Sequence, residues 1–160
     1  MKNSATIGML ITATFTTFAV GLFAGETEVN ITMNQVPALV SEAVKKYANE
    51  SEIKAALDVD DDGTKIIEFD IEKNGKKSEV GFHKDGKLFM TEEEIALTDV
   101  PEAVQKAIAK HSKDAKSGVP LKVVKEGKTS YEIVIEKKGE KTEYSISAEG
   151  KTLGKQEVKD

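Results

Sequence analysis

The chain has 160 residues and a net charge of −5, and its 28 acidic residues outnumber its 23 basic residues, all of which are lysine. Nucleic-acid binding needs clustered positive charge and favours the arginine fork, so this composition argues against a nucleic-acid partner. The chain has no cysteine, which excludes disulfides, thiolate nucleophiles and cysteine-ligated zinc or iron–sulfur centres.

The N-terminal stretch has the pattern of an export signal. Lys2 is followed by an uncharged, mostly apolar run at residues 7–24, and the first acidic residue is Glu26. This order predicts a secretory signal peptide at residues 1–25. An uncleaved membrane anchor is the alternative, because the run reaches the lower edge of the length that spans a bilayer. Both interpretations place the rest of the chain outside the cytoplasm, periplasmic or secreted, with membrane contact only through this segment.

Residues 26–35 are polar, with apolar side chains alternating at Val29, Ile31 and Met33. The pattern is compatible with a leader strand and with a linker, and the sequence leaves both open.

The remaining chain contains one unit twice. Residues 100–160 align with residues 36–96 without a gap, and both copies begin with a Val-Pro pair. In the first copy an apolar stripe with helical spacing predicts a helix from Val36 to about Asn49. The second copy repeats this stripe from Val100 to His111. Proline in the first turn is compatible with a helix, because its missing N–H would have no helical partner there.

Strand patterns follow each helix. Apolar residues alternate at Ile67, Phe69 and Ile71, which is the period of a half-buried antiparallel strand. Asn74-Gly75 is a strong hairpin signal, because both residues accept positive φ. Short final strands are predicted at residues 87–90 and 151–153. The sequence therefore predicts an α+β fold of two tandem repeats, each one helix followed by three or four antiparallel strands. The helices are expected on one face of the sheet, leaving the other face exposed.

The helix opening Val-Pro-x-x-Val-x-x-Ala-(Val/Ile), followed by strands and a Gly-Lys turn, resembles the PepSY-like family. It is most similar to the tandem-repeat beta-lactamase-inhibitor-like group, and the resemblance covers residues 36–153. It implies an exported bacterial protein with an α+β fold and no catalytic residues. It also implies a role in binding or restraining other proteins, such as extracytoplasmic enzymes. Beta-lactamase inhibition itself is not carried over, because the inhibitors of similar build contain disulfides and this chain has no cysteine.

The exposed sheet face is the predicted surface for a protein partner. His83 and Ser145 are further members of this face by the same alternation. The alternative is a small-ligand or cation-binding protein that uses its acidic surface. The predicted partner-binding residues are Glu68, Asp70, Glu72, Glu132, Val134 and Glu136.

The run from Asp58 to Gly63 matches the first half of an EF-hand calcium loop. The second half fails, because the closing glutamate position is occupied by Phe69. An acidic hairpin turn is the preferred interpretation, and a weak calcium site at Asp58, Asp60 and Asp62 is the alternative.

Catalytic patterns are sparse in this chain. His83 is predicted to point outward from a strand, and His111 occupies the helix position of Tyr47 in the first copy, which favours a packing role. No nucleophile elbow, zinc-protease or P-loop spacing occurs. We therefore predict a non-enzymatic protein without a cofactor.

Overall fold

The computed structural model describes residues 27–61 and 63–158, so the predicted signal peptide lies outside the described residues. Over this part the chain forms two α-helices, α1 (Ala38–Val44) and α2 (Glu102–His111), and ten strands. Short 3-10 helices occupy Met33–Gln35, Glu50–Glu52 and Leu97–Asp99. The strands are β1 (Thr27–Ile31), β2 (Ile53–Asp61), β3 (Thr64–Lys73), β4 (Lys76–His83), β5 (Leu88–Glu94), β6 (Lys116–Ser117), β7 (Leu121–Lys125), β8 (Lys128–Lys137), β9 (Glu140–Ser147) and β10 (Thr152–Val158).

All ten strands belong to one antiparallel sheet, which confirms the α+β class. Its order is β1-β2-β3-β4-β5-β7-β8-β9-β10, and β6 pairs with β8 beside this path. The pairing of β5 with β7 runs from Met90↔Lys125 to Glu94↔Leu121. It joins the two halves of the chain into one continuous sheet, a point that the sequence left open.

Both helices pack on the same side of this sheet. In the first half, Val40 and Val44 of α1 pack in a cluster with Phe69 and Phe82, whose rings meet edge to face at 6.2 Å. In the second half, Val104 and Ile108 of α2 pack in a cluster that includes Ile133 and Ile146. Each fully buried side chain of this size stabilises the fold by roughly 1.5–3 kcal/mol. The helix side of the sheet is therefore the apolar core of the protein.

Several predicted boundaries were wrong. Helix α1 ends at Val44, and Tyr47 lies in the following turn with its ring 5.6 Å from Phe82. Strands β5 and β10 extend well beyond the predicted residues 87–90 and 151–153, because each continues to pair with a neighbouring strand. Residues 27–31 form β1, so the leader-strand alternative is confirmed for them.

The described residues contain no helix with both the length and the apolar character needed to span a bilayer.

Each helix rests against a glycine turn between the last two strands of its half. Gly86 has a φ of +84° and Gly150 has a φ of +82°, a backbone conformation that residues other than glycine rarely adopt. A Cβ atom on Gly150 would lie 2.5 Å from the carbonyl oxygen of Ala103, in the first turn of α2. The equivalent distance at Gly86 is 2.9 Å, to the carbonyl oxygen of Leu39 in α1. These turns therefore set how closely the helices approach the sheet.

The close approach at Gly150 can be separated from its backbone conformation by comparison with Gly139. Both glycines have positive φ, but a Cβ atom on Gly139 would meet nothing within 4 Å. We expect Gly139→Ala to lower the free energy of unfolding by about 1 kcal/mol, the cost of the left-handed conformation. Gly150→Ala should cost at least about 1 kcal/mol more, because α2 must shift. Urea unfolding of both variants measures the difference, and equal losses would contradict this account of the helix contact.

Candidate binding site on the helix-free sheet face

The candidate site is the side of the sheet opposite α1 and α2, which we call the helix-free face. Alternation along β3 places Glu68, Asp70 and Glu72 on this face, and the pairing continues it onto the neighbouring strands. Asp70 lies opposite Glu79 on β4, and Glu79 lies opposite Glu92 on β5. One row of carboxylates therefore runs across three adjacent strands.

The second half of the chain contributes a matching row. Glu132 on β8 lies opposite Ser145 on β9, and Val134 lies opposite Glu143. Glu143 in turn pairs with Gln156 on β10, whose side-chain Nε2 donates a hydrogen bond of 3.0 Å to the Glu143 carboxylate. The sheet thus places the predicted residues from both halves on one surface.

The helix-free face is not the exposed surface that the sequence predicted. Glu68 is 2% exposed and Glu132 is 7% exposed, whereas Asp70, Glu72, Val134 and Glu136 are half-buried. An apolar patch lies on the same face, so the central side chains have packed neighbours. The members of this patch are Leu57, Val59, Ile66, Phe89 and Met90.

Sequence reasoning missed three of the buried carboxylates, Glu79, Glu92 and Glu143, which are between 2% and 7% exposed. Glu79 and Glu143 occupy equivalent positions in the two halves, and that repetition is the signal that could have identified them. Glu92 could not be placed, because the predicted fourth strand ended at Met90.

Burial raises the pKa of several of these carboxyl groups. The pKa of Glu79 is raised to about 11, first by burial and then by the negative charges of Glu92 and Asp70. Burial also holds the pKa of Glu92 well above its usual value, and Glu132 adds to the effect. The charge of Glu28 on β1 still acts on Glu79 on β4, although three strand spacings of about 4.8 Å separate the two strands. The carboxyl groups therefore form one coupled cluster.

Hydrogen bonding supports the presence of protons in this cluster. Burial raises the pKa of Glu132, while a hydrogen bond to Glu143 and the charge of Lys125 lower it. A hydrogen bond between two carboxyl groups requires one of them to be protonated. Ser145 also hydrogen-bonds Glu132. Even so, Oε2 of Glu92 and Oε2 of Glu132 are buried and have no hydrogen-bond partner.

A small pocket opens on this face at the junction of the two halves. Its volume is about 30 Å³, and its lining includes Asp70, Glu79, Glu92 and Leu121. That volume has room for roughly one or two water molecules and is far below the several hundred Å³ of a typical small-molecule site. The pocket is therefore suited to a single small polar or charged group.

The acidic run at Asp58 lies in the hairpin between β2 and β3. Asp58 pairs with Lys84 at 2.9 Å. Asp60 accepts a hydrogen bond of 2.8 Å from the Gly63 amide, and its other oxygen lies 3.4 Å from Lys65. Asp62, the third calcium candidate, lies outside the described residues. Across the described part of the chain, no three acidic or histidine side chains are grouped so that they could hold a metal ion.

The two histidines lie against aromatic rings. His111 stacks on Tyr144 with ring centroids 4.2 Å apart, and its Nε2 lies 2.9 Å from the Thr152 hydroxyl. Partial burial lowers the pKa of His111, so the ring favours its neutral form. His83 is half-buried on the helix-free face, with its ring 5.1 Å from the ring of Phe89. Its predicted outward direction is therefore only partly realised.

No protein-family model and no curated protein sequence matches this chain. Solved structures do match it. A protein from Bacteroides eggerthii, provisionally described as periplasmic, is 23% identical with a TM-score of 0.64, and the match covers 77% of this chain and 89% of that one. A DUF2874 family protein from Bacteroides uniformis is 18% identical with a TM-score of 0.60, covering 76% and 89%. A BLIP-like protein from Bacteroides fragilis is 21% identical with a TM-score of 0.55, covering 76% and 86%.

At these identities the comparisons show the fold alone. They agree with the resemblance to the beta-lactamase-inhibitor-like group through the BLIP-like protein, while the PepSY-like assignment stays a prediction. None of these three structures is described as an enzyme. The chain therefore shares the architecture of a set of bacterial proteins.

The raised pKa of Glu79 predicts how stability depends on pH. A carboxyl group whose pKa rises on folding holds its proton more tightly in the folded state. The stabilisation of the folded state by the proton on Glu79 is complete below the usual glutamate pKa, and it is lost as the pH rises toward about 11. The free energy of unfolding should therefore fall between about pH 5 and about pH 8, by at most roughly 1.4 kcal/mol per pH unit for one group.

Glu79→Gln should flatten this decline, because the amide keeps the shape of the protonated acid and does not titrate. Glu157→Gln is the matched control, since Glu157 is exposed on β10. Urea unfolding at several pH values measures the slope for both variants. A Glu79→Gln curve as steep as the wild-type curve would contradict the prediction.

Proposed function

We propose that this protein is an exported, non-enzymatic binding protein that holds a protein partner on its helix-free face. The predicted signal peptide supports export, as does the similar Bacteroides eggerthii structure that is provisionally described as periplasmic. The likeness to a BLIP-like protein supports a binding role. The binding residues of this proposal remain Glu68, Asp70, Glu72, Glu132, Val134 and Glu136.

One observation carries the proposal, the burial of polar groups on a face that neither helix covers. Each buried polar atom without a hydrogen-bond partner costs roughly 1–3 kcal/mol, and Glu92 and Glu132 each contain one. An apolar or fully exposed face would avoid this cost. Carboxyl groups with strongly raised pKa values concentrate at functional sites, so a binding role accounts for their presence here.

A non-enzymatic role is supported by the surroundings of the two histidines. Catalytic histidines lie within hydrogen-bond reach of a nucleophile or of a reacting group. The ring of His83 instead packs against Phe89. His111, the last residue of α2, stacks on Tyr144, and the hydroxyl within reach of its Nε2 belongs to the exposed residue Thr152.

We also infer that the two halves are copies of one unit. Strands β3 and β8 are equally long and occupy aligned positions, as do β4 and β9. The connecting turns agree as well, because Asn74 and Lys138 both have positive φ. A duplicated unit provides the broad sheet that a protein partner would contact.

The second candidate function is the binding of a small cation by the acidic surface. The number of carboxylates on the face favours it, but among the described residues no three acidic or histidine side chains are grouped so that they could hold a metal ion. Calorimetry with calcium and with transition metals distinguishes this candidate, since a protein-binding face predicts no heat of metal binding.

Charge reversal at the half-buried edges of the face tests partner binding. Glu72 and Glu136 occupy equivalent positions on β3 and β8. Replacing both with lysine should reduce capture of the partner from the periplasm of the native host by at least about tenfold, because like charges across an interface are strongly unfavourable. The measurement is quantitative crosslinking followed by identification of the captured protein.

The control variant carries Glu140→Lys and Glu157→Lys, which make the same change in net charge at exposed sites that point away from the helix-free face. Capture should stay at the wild-type level. Equal capture by wild type and by the Glu72 and Glu136 variant would place the partner on another surface.

A further inference from the structure

The two halves differ at one position in the middle of the helix-free face. Glu79 pairs across the sheet with Glu92, and the equivalent Glu143 pairs with Gln156. Gln156 donates a hydrogen bond of 3.0 Å to Glu143. In the first half the donor amide is replaced by a second acid. The sheet therefore contains an acid–amide pair joined by a hydrogen bond in one half and an acid–acid pair in the other.

Glu92 is the centre of the acidic cluster. It is 2% exposed, its Oε2 has no hydrogen-bond partner, and it lines the pocket of about 30 Å³. The charges that act most strongly on it are all negative. Five acidic groups face Glu92. They are its cross-strand neighbour Glu79 on β4 and, from β3, β8 and β9, Glu68, Asp70, Glu132 and Glu143.

The lysines near this cluster act on other groups. Lys77 lowers the pKa of Asp70, and Lys125 lowers that of Glu132 while lying 5.0 Å from the centre of the Phe89 ring. Lys54, at the edge of the pocket, donates to the carbonyl oxygen of Ser51 at 3.3 Å. Lys77 belongs to the pocket lining as well. Oε2 of Glu92 nevertheless accepts no hydrogen bond from any of the described residues.

We propose that Glu92 is the receptor for a lysine ammonium group presented by the partner protein, an inference that rests on the proposed function. An ammonium group is close in size to a water molecule, so the pocket has room for it. It supplies three hydrogen-bond donors and no acceptor, which suits a site lined by carboxylates. Lysine carries its charge on a compact ammonium group, whereas the charge of arginine is spread over a wider planar fork, so the small pocket favours lysine.

The small size of the pocket and the large area of the sheet face around it favour a partner protein over a free small molecule. The pocket would enclose only the end of one side chain. The rest of the face spans strands from both halves of the sheet, so most contacts would be made by the surface around that side chain. This arrangement resembles a protein interface in which one buried anchor is surrounded by weaker contacts.

Arrival of the ammonium group must displace a proton. Burial and the negative charges of neighbouring carboxylates raise the pKa of Glu92 and of Glu79, which favours the protonated form of each in the unoccupied face. A cation stabilises the ionised form, so binding releases protons to the solvent. Purely superficial attraction to exposed carboxylates would release none.

The experiment compares wild type, Glu92→Gln and Glu157→Gln as full mature chains. Isothermal titration with a short oligolysine peptide, run in two buffers of different ionisation enthalpy, gives the affinity and the number of protons released. Wild type and Glu157→Gln should bind with proton release. Glu92→Gln should lose about tenfold or more in affinity and most of the proton release, because a charge-assisted hydrogen bond is removed. It should remain folded, since it reproduces the pairing of Glu143 with Gln156.

Two further probes identify the ligand group and its source. The same peptide with acetylated lysines should not bind, because acetylation removes the charge. Spermidine should bind much more weakly than oligolysine. Binding of spermidine without binding of oligolysine would overturn the assignment to a protein partner.

Equal affinity of Glu92→Gln and Glu157→Gln for oligolysine, or wild-type binding without proton release, would overturn the role of Glu92. That result is distinct from failure of the proposed function. Capture that depends on Glu72 and Glu136 but not on Glu92 would leave the binding face in place and remove only this lysine site.

Discussion

The pairing of β5 with β7 is the contact on which the rest of the structure depends. Without it, each half would be a single helix on a small sheet with an unpaired edge, and units of that size bury too little surface to be securely stable. The pairing covers the edges of β5 and β7, so β1 and β10 remain as the open edges of the described sheet. It also brings Glu92 from the first half close enough to Glu132 for their charges to interact. Fold stability and the acidic cluster therefore have a common origin.

The two sides of the sheet have opposite energetic roles. The helix side holds the large apolar side chains, among them Phe69, Phe82 and Ile133, and their burial supplies most of the favourable free energy. The helix-free face carries carboxyl groups that lose hydration without full compensation. Stability gained on one side offsets the cost on the other. This division explains how a small domain can keep a chemically unfavourable surface.

Local sequence patterns predicted much of the fold because they encode local geometry. Alternation on β3 showed which residues share a face, and Asn74-Gly75 marked a turn whose positive φ angles the structure contains. Alternation shows which side of the sheet a residue faces, but it does not show whether neighbouring side chains exclude solvent there. The burial of Glu68 was therefore missed. The segment Thr91 to Glu94, which contains three consecutive glutamates, has no apolar alternation. Its strand is fixed by pairing with β7, which no local pattern encodes.

The difference between Glu92 and Gln156 shows how a structural position can acquire a chemical role. In the second half, the amide of Gln156 donates a hydrogen bond to one oxygen of Glu143. In the first half, an acid of nearly the same shape can remain buried because its surroundings favour the protonated, uncharged form. The neutral acid avoids the large penalty of an isolated buried anion. It becomes an anion only when a cation arrives, so the same group is tolerated in the unoccupied protein and reactive toward a positively charged partner.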